Sequence, residues 1–482
     1  MTGRGPFFDE GIYLLAGRTL VFRGENWPMA AYETWFNGSP YLFPALTGVV
    51  QRLGGDLVAV RLLNVGFLVL AVWGTYNVGR AIPVSRDAAL LGAASFGLAG
   101  PVLFTGSFAT YDMSALACSM IALWLVLAGS ASGRPHPLLL LSGGAVFALA
   151  VLFKYVVIAL LPIVPALILV RLLPGGQDMQ GAQRWRAPLT AVAVAGVPMA
   201  LIVGSYLVYY WSELTFLFRY HGWHLGGYGI SMPAILFAIL LYAGLAWLLA
   251  SFGLEQIRRD GGPYAVGLIL LGGSLIMPAY HLWKIDPLAL FKQICWSLAL
   301  VAPLVGVALA SIAQRPRTFA LVSAALILLA VYHTATLRSF YPDTRPSIDW
   351  LAEHVVPSDD PILVDNVWPY RHALAETFEG REWWVNDQWG WQGYAALPET
   401  WVTLIERGTF SYIVFERGGS FSGLGAAFDQ SVMESVEDSN QYQLVANFRS
   451  RVSWGNSIPP PPFRAQLPAY DVVHTEIWAR KE

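Results

Sequence analysis

Apolar residues run in long blocks from residue 57 to residue 337, separated by short polar turns, and then the pattern stops. About ten of these blocks are long enough to cross a bilayer, or nearly so, since a spanning helix needs ~20 apolar residues. They cover residues 57–80, 87–106, 113–129, 138–153, 155–173, 188–211, 232–252, 263–280, 293–312 and 318–337. Several contain Pro or Gly, which membrane helices tolerate because neighbouring helices re-satisfy the freed backbone groups. Ahead of them, Pro6-Phe7-Phe8-Asp9-Glu10 opens a stretch that reads as a short amphipathic helix, with Arg18 and Arg23 following it. Residues 41–53 are apolar but too short to span and read as interfacial.

After Leu337 the chain becomes polar, charged and rich in Trp. Pro361–Asp365, Phe410–Phe415, Tyr442–Phe448 and Val472–Trp478 read as strands, and Pro398–Arg407 as a helix. Strands alternating with helical stretches predict a small α/β domain, with Ile458–Phe463 a stiff polyproline loop inside it. The expected organisation is therefore a polytopic α-helical membrane protein in three parts. Residues 1–56 form a first loop with an acidic motif, 57–337 a transmembrane helical domain, and 338–482 a C-terminal α/β domain.

Composition supports that class. Of 482 residues, 55% are hydrophobic and 13% charged, about half the charged content of a soluble domain. A net charge of -2 gives no electrostatic footprint for nucleic acid. The two cysteines, Cys118 and Cys295, lie in apolar runs and read as buried thiols rather than as a disulfide or metal framework.

Charge also orients the helices. One set of loops holds Arg80, Arg86, Arg134, Arg171, Arg184, Arg186, Arg258, Arg259, Arg315 and Arg317. The alternating set holds only Lys154, Arg219, Lys284 and Lys292. The positive-inside rule puts the arginine-rich set in the cytoplasm, so residues 1–56 and 338–482 are expected to face outward. No apolar stretch carries residues 1–56 across, and no cleavable signal precedes them, so a further helix ahead of Met1 is expected.

The outward loops hold most of the candidate chemistry. Asp9 and Glu10 sit in the first, Asp112 at a helix start in the second, and Lys154 between two apolar helices in the third. The fourth holds Arg219, His221, Trp223 and His224, and the fifth runs from His281 through Asp286 to Lys292. Each has a plain reading: Asp112 as a first-turn acid, Lys154 as a snorkelling lysine, the histidines as interfacial polar groups. Taken together, acids and cations converge on one membrane face, a set suited to base chemistry with the acids and phosphate binding with the cations. No HExxH or paired-Cys spacing marks a metal site; no cofactor is called for, and a divalent metal stays open.

These residues resemble those of the dolichyl-phosphate-mannose protein mannosyltransferase superfamily, which includes bacterial aminoarabinose transferases. The resemblance runs through Phe8-Asp9-Glu10-Gly11-Ile12-Tyr13, Ser39-Pro40-Tyr41-Leu42-Phe43-Pro44, Ala59-Val60-Arg61-Leu62-Leu63-Asn64, Gly79-Arg80, Asp112 and Phe153-Lys154-Tyr155. It implies a GT-C fold and transfer of a sugar from a polyprenyl-phosphate carrier to an acceptor on the outer face of the plasma membrane. It implies Asp9 as the catalytic acid of the first loop, Asp112 as the second-loop acid, and Lys154 and, as the weaker match, Lys292 as the cations for the donor phosphate; Glu10 joins the catalytic candidates as the partner of Asp9 or as a helix-start acid, and Arg219 joins the phosphate-binding ones. Where aminoarabinose transferases carry Lys-Pro-Pro, this chain reads Gly38-Ser39-Pro40, so a lipid A acceptor does not carry over, and a glycan, lipid or protein acceptor stays open.

The expected reaction is a single displacement with inversion, Asp9 taking the acceptor proton and the cations stabilising the departing phosphate. Trp389 and Trp391, in the run Trp383 to Trp391, and His221 are candidates for contact with the acceptor or sugar. Two rivals remain: a transporter or flippase for a lipid-linked or small solute, and a non-catalytic subunit of an envelope-synthesis complex.

Overall fold

The protein is described by a computed structural model, which defines residues 4–23, 41–131, 135–173, 183–212, 214–215, 232–285, 289–338, 342–355, 360–364, 367–374, 383–385, 398–417, 426–451 and 472–481. Every one of the apolar runs folds as helix. In chain order the elements begin with α1 (Phe8–Arg18), α2 (Leu42–Arg52), α3 (Leu57–Ala81), α4 (Arg86–Gly97), α5 (Gly100–Gly106), α6 (Tyr111–Gly129) and α7 (Pro137–Phe153). A 3₁₀ turn, Tyr155–Leu160, leads into α8 (Ile163–Leu172), followed by α9 (Gln183–Tyr209), α10 (Met232–Arg259), α11 (Tyr264–Gly273), α12 (Ile276–Lys284), α13 (Leu290–Ile312) and α14 (Pro316–Arg338). Among the described residues, 8 helices are long and apolar enough to cross a membrane, or 9 if the bent pair α4–α5 counts as one span. The remaining run, α7, is a shorter apolar helix of 17 residues.

Local chemistry sets the helix starts. The Asp56 carboxylate accepts from the Ala59 N–H (3.0 Å) and caps α3, and the Ser85 hydroxyl does the same for α4 at Ala88 (3.1 Å). The central helix is α13, buried along almost its whole length. Small residues let its neighbours approach: a Cβ on Gly306 would strike the Ala88 carbonyl of α4, the close backbone contact that membrane helices favour.

The first-loop helix departs from the expected amphipathic one. Ile12, Tyr13, Leu14 and Ala16 are all buried, and so is Glu10. The cause is that α1 is covered on several sides. Thr47 Oγ1 and Gln51 Nε2 of α2 donate to the Tyr13 and Leu14 carbonyls (3.0 and 2.8 Å). From the other side comes α16 (Val367–Ala373), so close that a Cβ on Gly11 would lie 2.6 Å from the Trp368 carbonyl carbon.

The C-terminal part adds α15 (Arg345–His354), β1 (Ile362–Val364), α16, β2 (Trp383–Val385), α17 (Pro398–Glu406), β3 (Tyr412–Arg417), α18 (Ala426–Asp438), β4 (Tyr442–Arg451) and β5 (Val472–Arg480). The strands form one sheet in the order β2-β1-β3-β5-β4, parallel through β2-β1-β3 and antiparallel from β3 to β5 and β4. Alternation decides what each face covers. Leu363, Ile413 and Phe415 pack with Trp401 and Ile405 of α17 and Val432 and Val436 of α18. Ile362, Val364, Val414 and Ile477 face the other way and join the core that contains α1 and α16. The sheet is thus fastened to the first-loop helix. Four elements went unread in the sequence: the helices α15, α16 and α18, and the strand β2, which takes up Trp383 and Trp384 from the Trp-rich run.

Candidate active site

The site lies where α1, the start of α6, the α7–3₁₀ junction and the start of α13 meet. Asp9 and Glu10 are adjacent in the first turn of α1 and point into different surroundings. Glu10 is fully buried and Arg61 of α3 grips it from two sides, Nη2 to Oε2 at 2.7 Å and Nε to Oε1 at 2.9 Å. Glu10 also accepts from the backbone N–H of Ala109 (2.7 Å) and of Phe7 (3.2 Å). Arg61 spends its remaining donors on the Arg4 and Gly5 carbonyls, each at 3.0 Å. One turn along α3, the Asn64 amide donates to the carbonyls of Phe108 and Thr110. This knot ties the first loop to the second, and so sets where Asp9 and Asp112 stand.

Asp9 forms an ion pair with Lys292, in the first turn of α13, and Asp112 forms one with Lys154. Lys154 sits in extended backbone (φ -156°, ψ 116°) between α7 and the 3₁₀ turn, a break that aims its side chain into the bundle. Its ammonium lies 5.0 Å over the Tyr111 ring and 5.8 Å over Trp296, favourable ground for a cation held away from water. Lys292 lies 5.7 Å over Phe7. The two pairs form one cluster, because Lys154 feels the charges of Asp9 and Lys292, and Asp112 that of Lys292. The Asp112 side chain is 1% exposed, the Asp9 side chain 20%. Asp9 is therefore the more accessible of the two carboxylates.

Of the residues proposed from sequence, Asp9, Glu10, Asp112, Lys154 and Lys292 come together here. Arg219, His221, Trp389 and Trp391 lie outside the described residues. Arg61 and Asn64 were quoted for their resemblance but given no role. The signal was present, since an ionisable residue and an amide at i, i+3 inside an apolar span are costly unless partnered. Cys295 is buried and Cys118 partly so, both as free thiols.

No family model matches the sequence, and no curated protein matches it. Solved structures do. ArnT from Cupriavidus metallidurans, bound to undecaprenyl phosphate, has a TM-score of 0.61 and 15% identity over 98% of this chain and 94% of its own. The Archaeoglobus fulgidus oligosaccharyltransferase in its apo form has a TM-score of 0.55 and 12% identity over 91% of this chain and 69% of its own. AglB from the same organism, in complex with an inhibitory peptide and a dolichol-phosphate, gives 0.53 and 12% over 92% and 70%. Identities this low carry architecture and nothing finer: the chain is a multi-pass membrane protein with the GT-C fold, the fold of these membrane glycosyltransferases.

Proposed function

We propose that the protein is a glycosyltransferase that moves a sugar from a polyprenyl-phosphate donor to an acceptor hydroxyl on the extracytoplasmic side of the plasma membrane. The observation that carries this reading is the pair of acid–lysine contacts gathered at one end of the helix bundle, Asp9–Lys292 and Asp112–Lys154. A donor phosphate competes with the carboxylates for both lysines. When it draws Lys292 away, the Asp9 carboxylate is released as a base beside the bound donor.

The step balances as a single displacement. The acceptor oxygen attacks the anomeric carbon from the face opposite the phosphate, Asp9 takes its proton, and the bond from that carbon to the phosphate oxygen breaks. Configuration inverts, and the polyprenyl phosphate leaves with one more negative charge than the donor carried. Lys292 and Lys154 stabilise that charge, worth most where water is scarce. Asp112 holds Lys154 in place, and Glu10 with Arg61 positions both acids. Residues 338–482 are proposed to cover the same face, since the Thr344 hydroxyl donates to the Pro6 carbonyl (2.8 Å) just ahead of the acidic pair.

Sidedness rests on the opposite helix ends, which carry Arg80, Arg86, Arg171, Arg258, Arg259, Arg315 and Arg317; such arginines favour the cytoplasm. A transporter gathers ionisable groups near the midplane, whereas these gather at helix ends. The test is transfer from a radiolabelled polyprenyl-phosphate sugar in proteoliposomes of purified protein. Transfer by the wild type, lost in Asp9→Asn, supports the proposal; movement of a solute with no sugar transferred to any acceptor sinks it.

A further inference from the structure

Each lysine of the two acid–lysine pairs stands over two aromatic rings as well as beside a carboxylate. Lys154 Nζ lies 5.0 Å from the ring centroid of Tyr111 and 5.8 Å from that of Trp296. Lys292 Nζ lies 5.7 Å from Phe7 and 5.8 Å from Phe291. All of these fall within the ~6 Å over which a ring face attracts a cation. Each cradle joins two stretches of chain. Tyr111 opens α6 and Trp296 belongs to α13, while Phe7 caps α1 and Phe291 shares the first turn of α13 with Lys292.

The rings are themselves held in place. Tyr13 packs on Tyr111 at 4.8 Å and on Phe43 at 5.6 Å, and Trp296 Nε1 donates to Ser119 Oγ (3.3 Å). Under Lys292 the rings run in a chain. Phe7 meets Phe108 edge to face at 4.7 Å, Phe108 meets Phe104 at 4.4 Å, and Phe104 meets Phe291 at 5.4 Å. Phe7, Phe291 and Trp296 are buried, so none of them can turn from its lysine without disturbing its neighbours.

A carboxylate and a ring face hold a cation in different ways. The carboxylate cancels the charge it holds. The ring attracts through its quadrupole and leaves the ammonium its whole charge for another anion. Resting on the proposed reaction, we propose that Tyr111 and Trp296 for Lys154, and Phe7 and Phe291 for Lys292, are positioning residues for the donor phosphate. Each lysine side chain is 10% exposed, an opening through which a phosphate can reach it. When the phosphate draws an ammonium off its carboxylate, the two rings keep that ammonium in place with its charge undiminished. The carboxylate is released and the cation stays, so little ordering remains to be done as the phosphate arrives.

The test alters a ring's quadrupole and nearly keeps its size. Phe7→pentafluorophenylalanine, and Tyr111→pentafluorophenylalanine measured against Tyr111→Phe, are made in the full-length protein by amber suppression. Each fluorinated ring should weaken binding of undecaprenyl phosphate in detergent about tenfold, the scale of a desolvated cation–ring contact. Melting gives a readout that needs no donor. Fluorination at Phe7 should lower the melting temperature more in the presence of Lys292 than in Lys292→Met, a dependence that ring packing alone does not produce. Unchanged or tighter binding in either fluorinated variant overturns the cradle of that lysine, and an equal melting change with and without Lys292 overturns the proposal at Phe7. A wild type that binds no undecaprenyl phosphate, with the lysine-dependent melting change present, overturns the donor reading and leaves the hold of the rings on the lysines standing.

Discussion

Asp9 and Glu10 are neighbours in one helical turn, yet the structure puts them in opposite circumstances. Glu10 is sealed, with both oxygens filled by Arg61, Ala109 and Phe7. Asp9 has a lysine partner and an open side. A bidentate guanidinium pair holds one geometry, whereas an ammonium is a point charge on a flexible stem that can be drawn elsewhere. Two adjacent carboxylates thereby differ in setting, one fixing the loops and the other left open on one side, as the proposed role of Asp9 as a base requires.

The sharpest way to break the contrast is at the sealed pair. Arg61→Met or Glu10→Ala leaves its partner buried and uncompensated, and should cost about 3–5 kcal/mol of stability. A thermal melt in detergent reads this directly; a melt like wild type's would show that the pair is not the structural knot described. Asp9→Asn should do the reverse. The melt should stay near wild type while transfer falls about 10²-fold or more, the scale of a lost general base. Loss of folding in this variant would place Asp9 with Glu10 on the structural side.

The lysines extend the comparison. Lys292→Met should raise the apparent Michaelis constant for donor about tenfold or more, the scale of a lost bond to a charged group, with little change in melting. Lys154→Met should raise it too and also destabilise, because Asp112 is buried and Asp9 is not. Equal melts for the two variants would erase that distinction.

A smaller effect should appear in the helix that clamps α1 from the C-terminal side. Burial, reinforced by the Arg18 charge, pushes His372 of α16 down to about 4, below the ~6.5 of an unfolded histidine. Between those values the unfolded chain binds a proton that the folded chain refuses, so stability rises with pH across this window. It should be complete above about pH 6.5 and decline towards pH 4, and His372→Gln should flatten the curve of melting temperature against pH in that range. The smallest expected effect is at Ala289, which takes a left-handed conformation (φ 58°) just before α13 and Lys292. Ala289→Gly removes that strain and should stabilise by under about 1 kcal/mol, with donor affinity unchanged; a destabilised variant would mean the turn is not strained.

Much of the fold could be read from one dimension. Apolar runs of spanning length lead to helices wherever the backbone must satisfy itself away from water, and each of those runs is a helix here. Arginines alternating from loop to loop define the two ends of the bundle, and β-branched stretches between turns mark β1, β3, β4 and β5. These are properties of local composition, which is why the chain alone determines them. The strand β2 and the helices α15, α16 and α18 escaped because they are short or largely polar and lack a long apolar run; β2 is three residues long and exists through its pairing with β1. The identity of the acids was legible too, since Asp9, Glu10 and Asp112 stand out against an apolar background. Their division of labour was not. It depends on Arg61, 51 residues from Glu10, and on Lys292, 283 residues from Asp9. Only packing decides which cation reaches which carboxylate, because burial multiplies the energy of each pairing and excludes the others. The burial of α1 has the same origin: its own sequence is half polar in pattern, and it is covered by α2 from the same loop and by α16 from the opposite end of the chain.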